Sequence, residues 1–292
     1  MKRILLFLAT NLAIMITLSI VLSLLGIGGY RLPGGGLDYS ALMVFCLVWG
    51  MGGAFISLAL SRFIAKRAMG VQLVDGRTGR EELDWLHGTV RQLTERAGLP
   101  MPEVGIYDSP EVNAFATGPS RNRSLVAVSS GLLRGMRREE VEGVLAHEVS
   151  HIANGDMVTM TLIQGVVNAF VMFFARIIAN IARNAVDEKV SYLVGFVTTI
   201  VLDIAFGILG MMIVSWFSRA REFRADAGAG TLAGKGKMIA ALQRLQQNTQ
   251  MVDNSQPSLA TMKIAGSRSG MLALLSTHPP LEARIAALQN VR

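Results

Sequence analysis

Four long apolar stretches constrain this chain before any motif is considered: residues 4–27, 39–61, 157–175, and the segment between Lys189 and Arg219, interrupted only by Asp203. A membrane-spanning helix needs about 20 predominantly apolar residues, and each stretch is long enough. The first two read as spanning helices. The last two read either as spans or as a hydrophobic hairpin, buried in protein or dipping into one leaflet. Composition agrees: the chain is 51% hydrophobic and only 17% charged, against about 25% charged in an average globular protein. A bilayer is the natural place for that much apolar surface. Lys2 and Arg3 before the first stretch resemble a secretory signal, but the apolar run is too long and no A-x-A site follows it, so it reads as a retained anchor.

Charge placement supports the same picture. The net charge of +7 is compatible with nucleic acid or an anionic membrane surface. Its basic residues cluster beside the apolar segments (Arg62, Lys66 and Arg67; Arg219, Arg221 and Arg224) and no nucleic-acid motif accompanies them. The lipid bilayer is therefore the expected partner, and nucleic acid is not. The single cysteine, Cys46, excludes an intramolecular disulfide. Lys2 and Arg3 on one side, and Arg62, Lys66 and Arg67 on the other, outweigh the 28–38 loop, which offers only Arg31 and Asp38. By the positive-inside bias both flanks face the cytoplasm.

These readings give an expected organisation. Residues 1–60 hold two transmembrane helices (about 4–27 and 39–61), and 157–218 hold the second hydrophobic pair (about 157–175 and 190–218). Residues 61–156 and 219–292 form one cytoplasmic domain from two pieces, together long enough for a single core. Helical periodicity runs through 81–97, with Leu83, Leu86, Val90 and Leu93 on one face. Short strands are expected at 104–107, 113–117 and 124–128, the last two joined by a Gly-Pro-Ser-Arg-Asn-Arg turn. Further helices are expected at 138–153, after 219, at 235–247 and at 281–290, with a loop over 249–270. The fold class is α+β and mostly helical.

The chemistry is concentrated in HEVSH. Residues four apart on a helix share a face, so His147 and His151 can direct their imidazoles at one ion, with Glu148 beside them as a general base. Zinc suits such a site, because three protein ligands leave a position for water. The local pattern HExxHxxGxxH is absent, since Asn and Met occupy positions 154 and 157. The third ligand is then His87, His278, or a carboxylate from Glu222 and Asp226, which sit one turn apart in RAREFRADAGA. Asn113, Ala114, Phe115 and Ala116, followed by Thr-Gly, read as a strand whose exposed edge can bind an extended peptide. Asp203, an acid within an apolar segment, is either functional or a hydrogen-bond partner of Gln164 and Asn168; the latter reading is preferred.

HEVSHIANGDM, WFSRAREFRADA, NAFATG and THPPLEARI together resemble the HtpX family of bacterial heat-shock membrane proteases, relatives of the CAAX-prenyl endoproteases. The resemblance covers essentially the whole chain. It implies a gluzincin-like HExxH zinc metallopeptidase domain with a short β-sheet, plus transmembrane helices, carrying one Zn2+ per chain. It also implies that His147, His151 and Glu222 ligate the metal and that Glu148 is the catalytic base. Asp226 is then an acid that orients a ligand histidine. Asn113 would hold a substrate carbonyl, and His278 would stabilise the oxyanion. The implied setting is the bacterial inner membrane, with misfolded or damaged membrane proteins as substrates. A narrow-specificity processing protease and a noncatalytic membrane scaffold are the alternatives; the intact Glu148 weighs against the scaffold.

Overall fold

The computed structural model describes residues 2–27, 29–33, 36–255 and 275–290. Two compact units emerge, one of Met1–Leu58 with Thr159–Val214, the other of Ala59–Val158 with Ser215–Arg292.

The first unit is helical. It contains α1 (Lys2–Leu24) and parts of α2 (Tyr39–Met69), α6 (Asp156–Asn184) and α7 (Glu188–Ala229). Among the described residues, the helices bearing α2, α6 and α7 are long and apolar enough to cross a membrane, with mean hydropathy of 2.0, 1.9 and 2.3 over their best windows. On α7, Leu193, Phe196, Val201, Ile204, Leu209 and Ile213 are each at least half exposed. That much apolar surface is a liability in water and is matched by lipid. Small residues let the helices approach closely, as membrane packing favours. A Cβ on Gly50 of α2 would stand 2.6 Å from the Ala169 backbone nitrogen of α6 and 2.8 Å from the Gly165 carbonyl oxygen. Leu42, Cys46 and Ala169 are buried at this α2–α6 contact.

Asp203 differs from the sequence expectation. Its carboxylate lies 3.6 Å from Arg176, whereas Gln164 and Asn168 bond each other at 2.8 Å. The reason lies in α6, which continues past the apolar stretch to Asn184. Arg176 therefore stays on the helix and meets Asp203 as a charge partner, which an amide cannot match.

The second unit holds a four-stranded sheet: β1 (Gln72–Val74), β2 (Glu103–Tyr107), β3 (Ala114–Ser120) and β4 (Arg123–Ser129), in the order β1-β2-β4-β3. β2 and β4 are parallel; the other pairs are antiparallel. Leu125, Val126, Ala127 and Val128 are buried, as the continuous apolar run of a central strand requires. The helices are α3 (Glu81–Arg96), the short α4 (Ser130–Gly135), α5 (Arg138–Asn154), the end of α7, α8 (Lys235–Ser255) and α9 (Leu281–Asn290). The main core joins Leu86, Val90 and Leu93 of α3, Val126 and Val128 of β4, Leu145 and Val149 of α5, and Leu242 of α8.

Four local expectations change. The three-residue β1 is too short to leave a periodic signal. The anticipated six-residue turn shrinks to Arg121 and Asn122, because β3 continues through an irregularity between Thr117 and Ser120. Gly118 makes this possible: at φ 147° a side chain would collide with the Arg123 carbonyl. The helix expected after 219 is the end of α7, continuous from Glu188. The expected 249–270 loop begins instead within α8, and its remainder lies outside the described residues.

Candidate metal centre

α5 carries the first donors. Glu140 accepts a 2.8 Å hydrogen bond from the Arg137 backbone N–H, fixing the helix start. His147 and His151 fall on the buried face with Ala146, Val149 and Ile152, while Glu148 is half-buried beside them. The helix stops one residue past Asn154, at Gly155, whose φ of 69° suits glycine. This sharp turn starts α6 at Asp156 and brings its Oδ2 to 2.6 Å from His151 Nδ1.

α7 supplies the carboxylates. Its inner face presents Glu222, Ala225, Asp226 and Ala229, all buried. Gly228 lets that face lie close to α5, since a Cβ there would stand 2.7 Å from Ser150 Oγ. Asp226 Oδ1 sits 2.9 Å from His147 Nδ1. Each histidine thus donates from Nδ1 to an aspartate and turns its Nε2 inward. α9 locks Asp226: the buried Arg284 guanidinium forms two bonds to it, 2.7 and 2.6 Å long. His278, on the loop before α9, places Nδ1 3.0 Å from Glu222 Oε2.

The three inward donors converge. His147 Nε2 and His151 Nε2 are 3.1 Å apart, and Glu222 oxygens lie 3.5 and 3.4 Å from them. These separations exceed the roughly 2.7–2.9 Å of a charge-assisted hydrogen bond. Glu222 Oε1 is buried with no hydrogen-bond partner. Burial favours neutral imidazole, but the Asp226 and Glu222 carboxylates outweigh it at His147 and leave its pKa raised. At His151 the same contest against Asp156 and Glu222 ends at about 9. Burial likewise raises the Glu222 carboxyl, yet the surrounding histidines hold it far below the usual carboxylate range. The cluster therefore attracts positive charge while its spacing suits protons poorly. A metal cation held by these three side chains would supply that charge at one centre and displace the protons. The donor set fits.

The structure brings His147, His151, Glu222, Asp226 and His278 together, with Glu148 alongside. It leaves His87 on α3, packed beside Gly76 and outside the cluster. The sequence reading passed over Asp156 and Arg284. Asp156 follows the helix-ending Asn-Gly closely enough to have been noticed, whereas nothing local marks Arg284.

The third feature is the β3 edge. Among the described residues, β3 has β4 as its only strand neighbour. The Ser129 N–H donates 2.9 Å to the Asn113 carbonyl, and Ser129 Oγ accepts from the Asn113 N–H at 3.1 Å. The backbone of Asn113 therefore points toward β4. By antiparallel alternation, Phe115 and Thr117 do the same, while Ala114 and Ala116 turn their N–H and C=O to the open edge. The Asn113 side chain is exposed where this edge begins.

Comparison with known proteins agrees with this architecture. Residues 80–292 match the model of peptidase family M48. The chain is 55% identical to Protease HtpX of Aeromonas salmonicida, covering 99% of this chain and 100% of that protein. It is 53% identical to Protease HtpX of Hahella chejuensis, covering 99% of each. The fold also matches a crystal structure of S. mikatae Ste24p with a TM-score of 0.64 at 21% identity, covering 99% of this chain and 66% of that one. The chain belongs to peptidase family M48, as a membrane metalloprotease.

Proposed function

We propose that the chain is a zinc endopeptidase of the bacterial inner membrane, with its active site facing the cytoplasm, that cleaves misfolded or damaged membrane proteins. The observation that carries the zinc assignment is the spacing of His147 Nε2, His151 Nε2 and Glu222, at 3.1, 3.4 and 3.5 Å. Tetrahedral zinc with bonds near 2.0–2.1 Å sets its ligand atoms about 3.3 Å apart. Held by these side chains, zinc would supply Lewis acidity to polarise a peptide carbonyl and acidify a neighbouring water. Glu148 takes the proton from the attacking water and passes it to the departing amine nitrogen. Asp226 and Asp156 hold the two imidazoles in the tautomer that faces the metal, and Arg284 holds Asp226. His278 donates to the oxygen that becomes negative in the transition state.

Substrate binds in extended form against β3, pairing with the backbone of Ala114 and Ala116, while Asn113 holds a further carbonyl. Backbone pairing gives affinity with little dependence on sequence. Such tolerance suits a varied set of unfolded segments, and the relatedness to Protease HtpX supports the same role.

The test is elemental analysis of the purified full chain. One zinc per chain is expected, and Glu222→Ala should lose it together with peptide cleavage. A Glu222→Ala protein that keeps a full equivalent of zinc would transfer the third ligand to another residue.

A further inference from the structure

Within the helical unit, a cavity of about 200 Å³ opens where the linker between α1 and α2 meets α6 and α7. Three arginines line it, Arg31 from the linker and Arg176 and Arg183 from α6. Arg176, Asn180 and Arg183 follow one another at helical spacing, so α6 presents one polar stripe to the cavity. Gly195 of α7 makes room for this stripe: a Cβ there would stand 3.3 Å from Arg183 Cβ.

The charges do not cancel. Arg176 has Asp203 at 3.6 Å and donates to the Met172 carbonyl at 3.0 Å. Arg31 and Arg183 have no acidic partner among the described residues. The nearby Asp38 carboxylate is engaged at the start of α2, accepting from Ser40 Oγ and the Ala41 N–H at 2.7 and 3.0 Å. Two uncompensated guanidiniums in a membrane unit call for an anion, and guanidinium forks match phosphate oxygens. The cavity also borders a greasy surface, with Tyr192, Leu193 and Phe196 exposed at 74, 61 and 55%. An inorganic anion would leave that surface bare, whereas an acyl chain covers it.

We propose that this cavity binds the phosphate headgroup of an anionic phospholipid, with the acyl chains lying along the first turns of α7. The site shares no residue with the metal cluster, and the proposal does not rest on the proposed proteolysis.

The full chain, purified in neutral detergent, is titrated with short-chain phosphatidylglycerol, with phosphatidylcholine of equal chain length, or with inorganic phosphate, and followed by thermal unfolding. A saturable rise in Tm with phosphatidylglycerol alone is expected. Arg31→Gln with Arg183→Gln should weaken that response about fivefold per arginine, while Arg183→Lys, which keeps the charge but loses the fork, should retain only part of it. Both variants should cleave peptide at the wild-type rate in detergent, since neither residue belongs to the metal site. Equal responses to the two lipids, or an unchanged response in the double variant, would overturn the proposal. A full response to phosphate alone would assign the cavity to a soluble anion and remove the lipid. Should the double variant not fold, native mass spectrometry of the wild type decides: selective retention of phosphatidylglycerol from an equal mixture supports the site, and equal retention rejects it.

Discussion

At the scale of single residues, the proposed metal site depends on what holds its candidate ligands as much as on the ligands themselves. His151 is held by Asp156 at 2.6 Å, and His147 by Asp226 at 2.9 Å. Asp156→Asn keeps the shape but removes the charge that orients the imidazole and raises its basicity. Loss of such a partner typically lowers metal affinity or activity about 10–100-fold. The variant should therefore lose zinc to a competing chelator more readily, and cleavage should recover with excess zinc. Unchanged affinity would mean that Asp156 does not orient His151. The two histidines were legible in the sequence because one helical turn separates them. The arrival of Glu222 was only one of several possibilities, since it depends on how α7 packs on α5. Arg284 reaches Asp226 across 58 residues of chain, and no local pattern encodes that contact.

At the scale of elements, β3 and α7 differed most from the expectation. A strand at 113–117 followed from its composition, but its end did not, because the continuation through Gly118 depends on pairing with β4. Pairing also decides which backbone groups are free, and this gives a test specific to register. Ala116→Pro removes an N–H from the open edge, where proline is tolerated. Cleavage of every peptide should then fall by about 2- to 10-fold in kcat/KM, the worth of one hydrogen bond of about 0.5–1.5 kcal/mol. Zinc content and Tm should change little. Phe115→Pro removes an N–H directed at β4 and should instead lower Tm. If Ala116→Pro destabilises the fold as much as Phe115→Pro, the assigned register is wrong; if it affects one peptide only, the segment reads side chains. The unbroken course of α7 was hidden because its apolar and charged halves look like separate elements.

At the scale of the whole molecule, a membrane protein was legible from composition and the four apolar stretches, because a bilayer demands long runs that few other settings explain. Orientation rests on charge bias. Two of those basic residues, Arg62 and Lys66, also pair with Glu103 at 3.3 and 3.0 Å. Topology is read by cysteine labelling in a Cys46→Ser background. Leu32→Cys should react with an impermeant reagent applied to intact cells, and Asp108→Cys should react only after lysis. The reverse pattern would put the active site outside the cytoplasm.

The central claim is that one buried cluster binds zinc and that Glu148 works on water beside it. Its most direct test measures zinc content and peptide cleavage together on purified Glu148→Gln. With Glu148 proposed as a proton carrier and not a ligand, zinc should remain near one per chain while cleavage falls to background. Cleavage near the wild-type rate, or loss of the zinc along with it, would contradict the account.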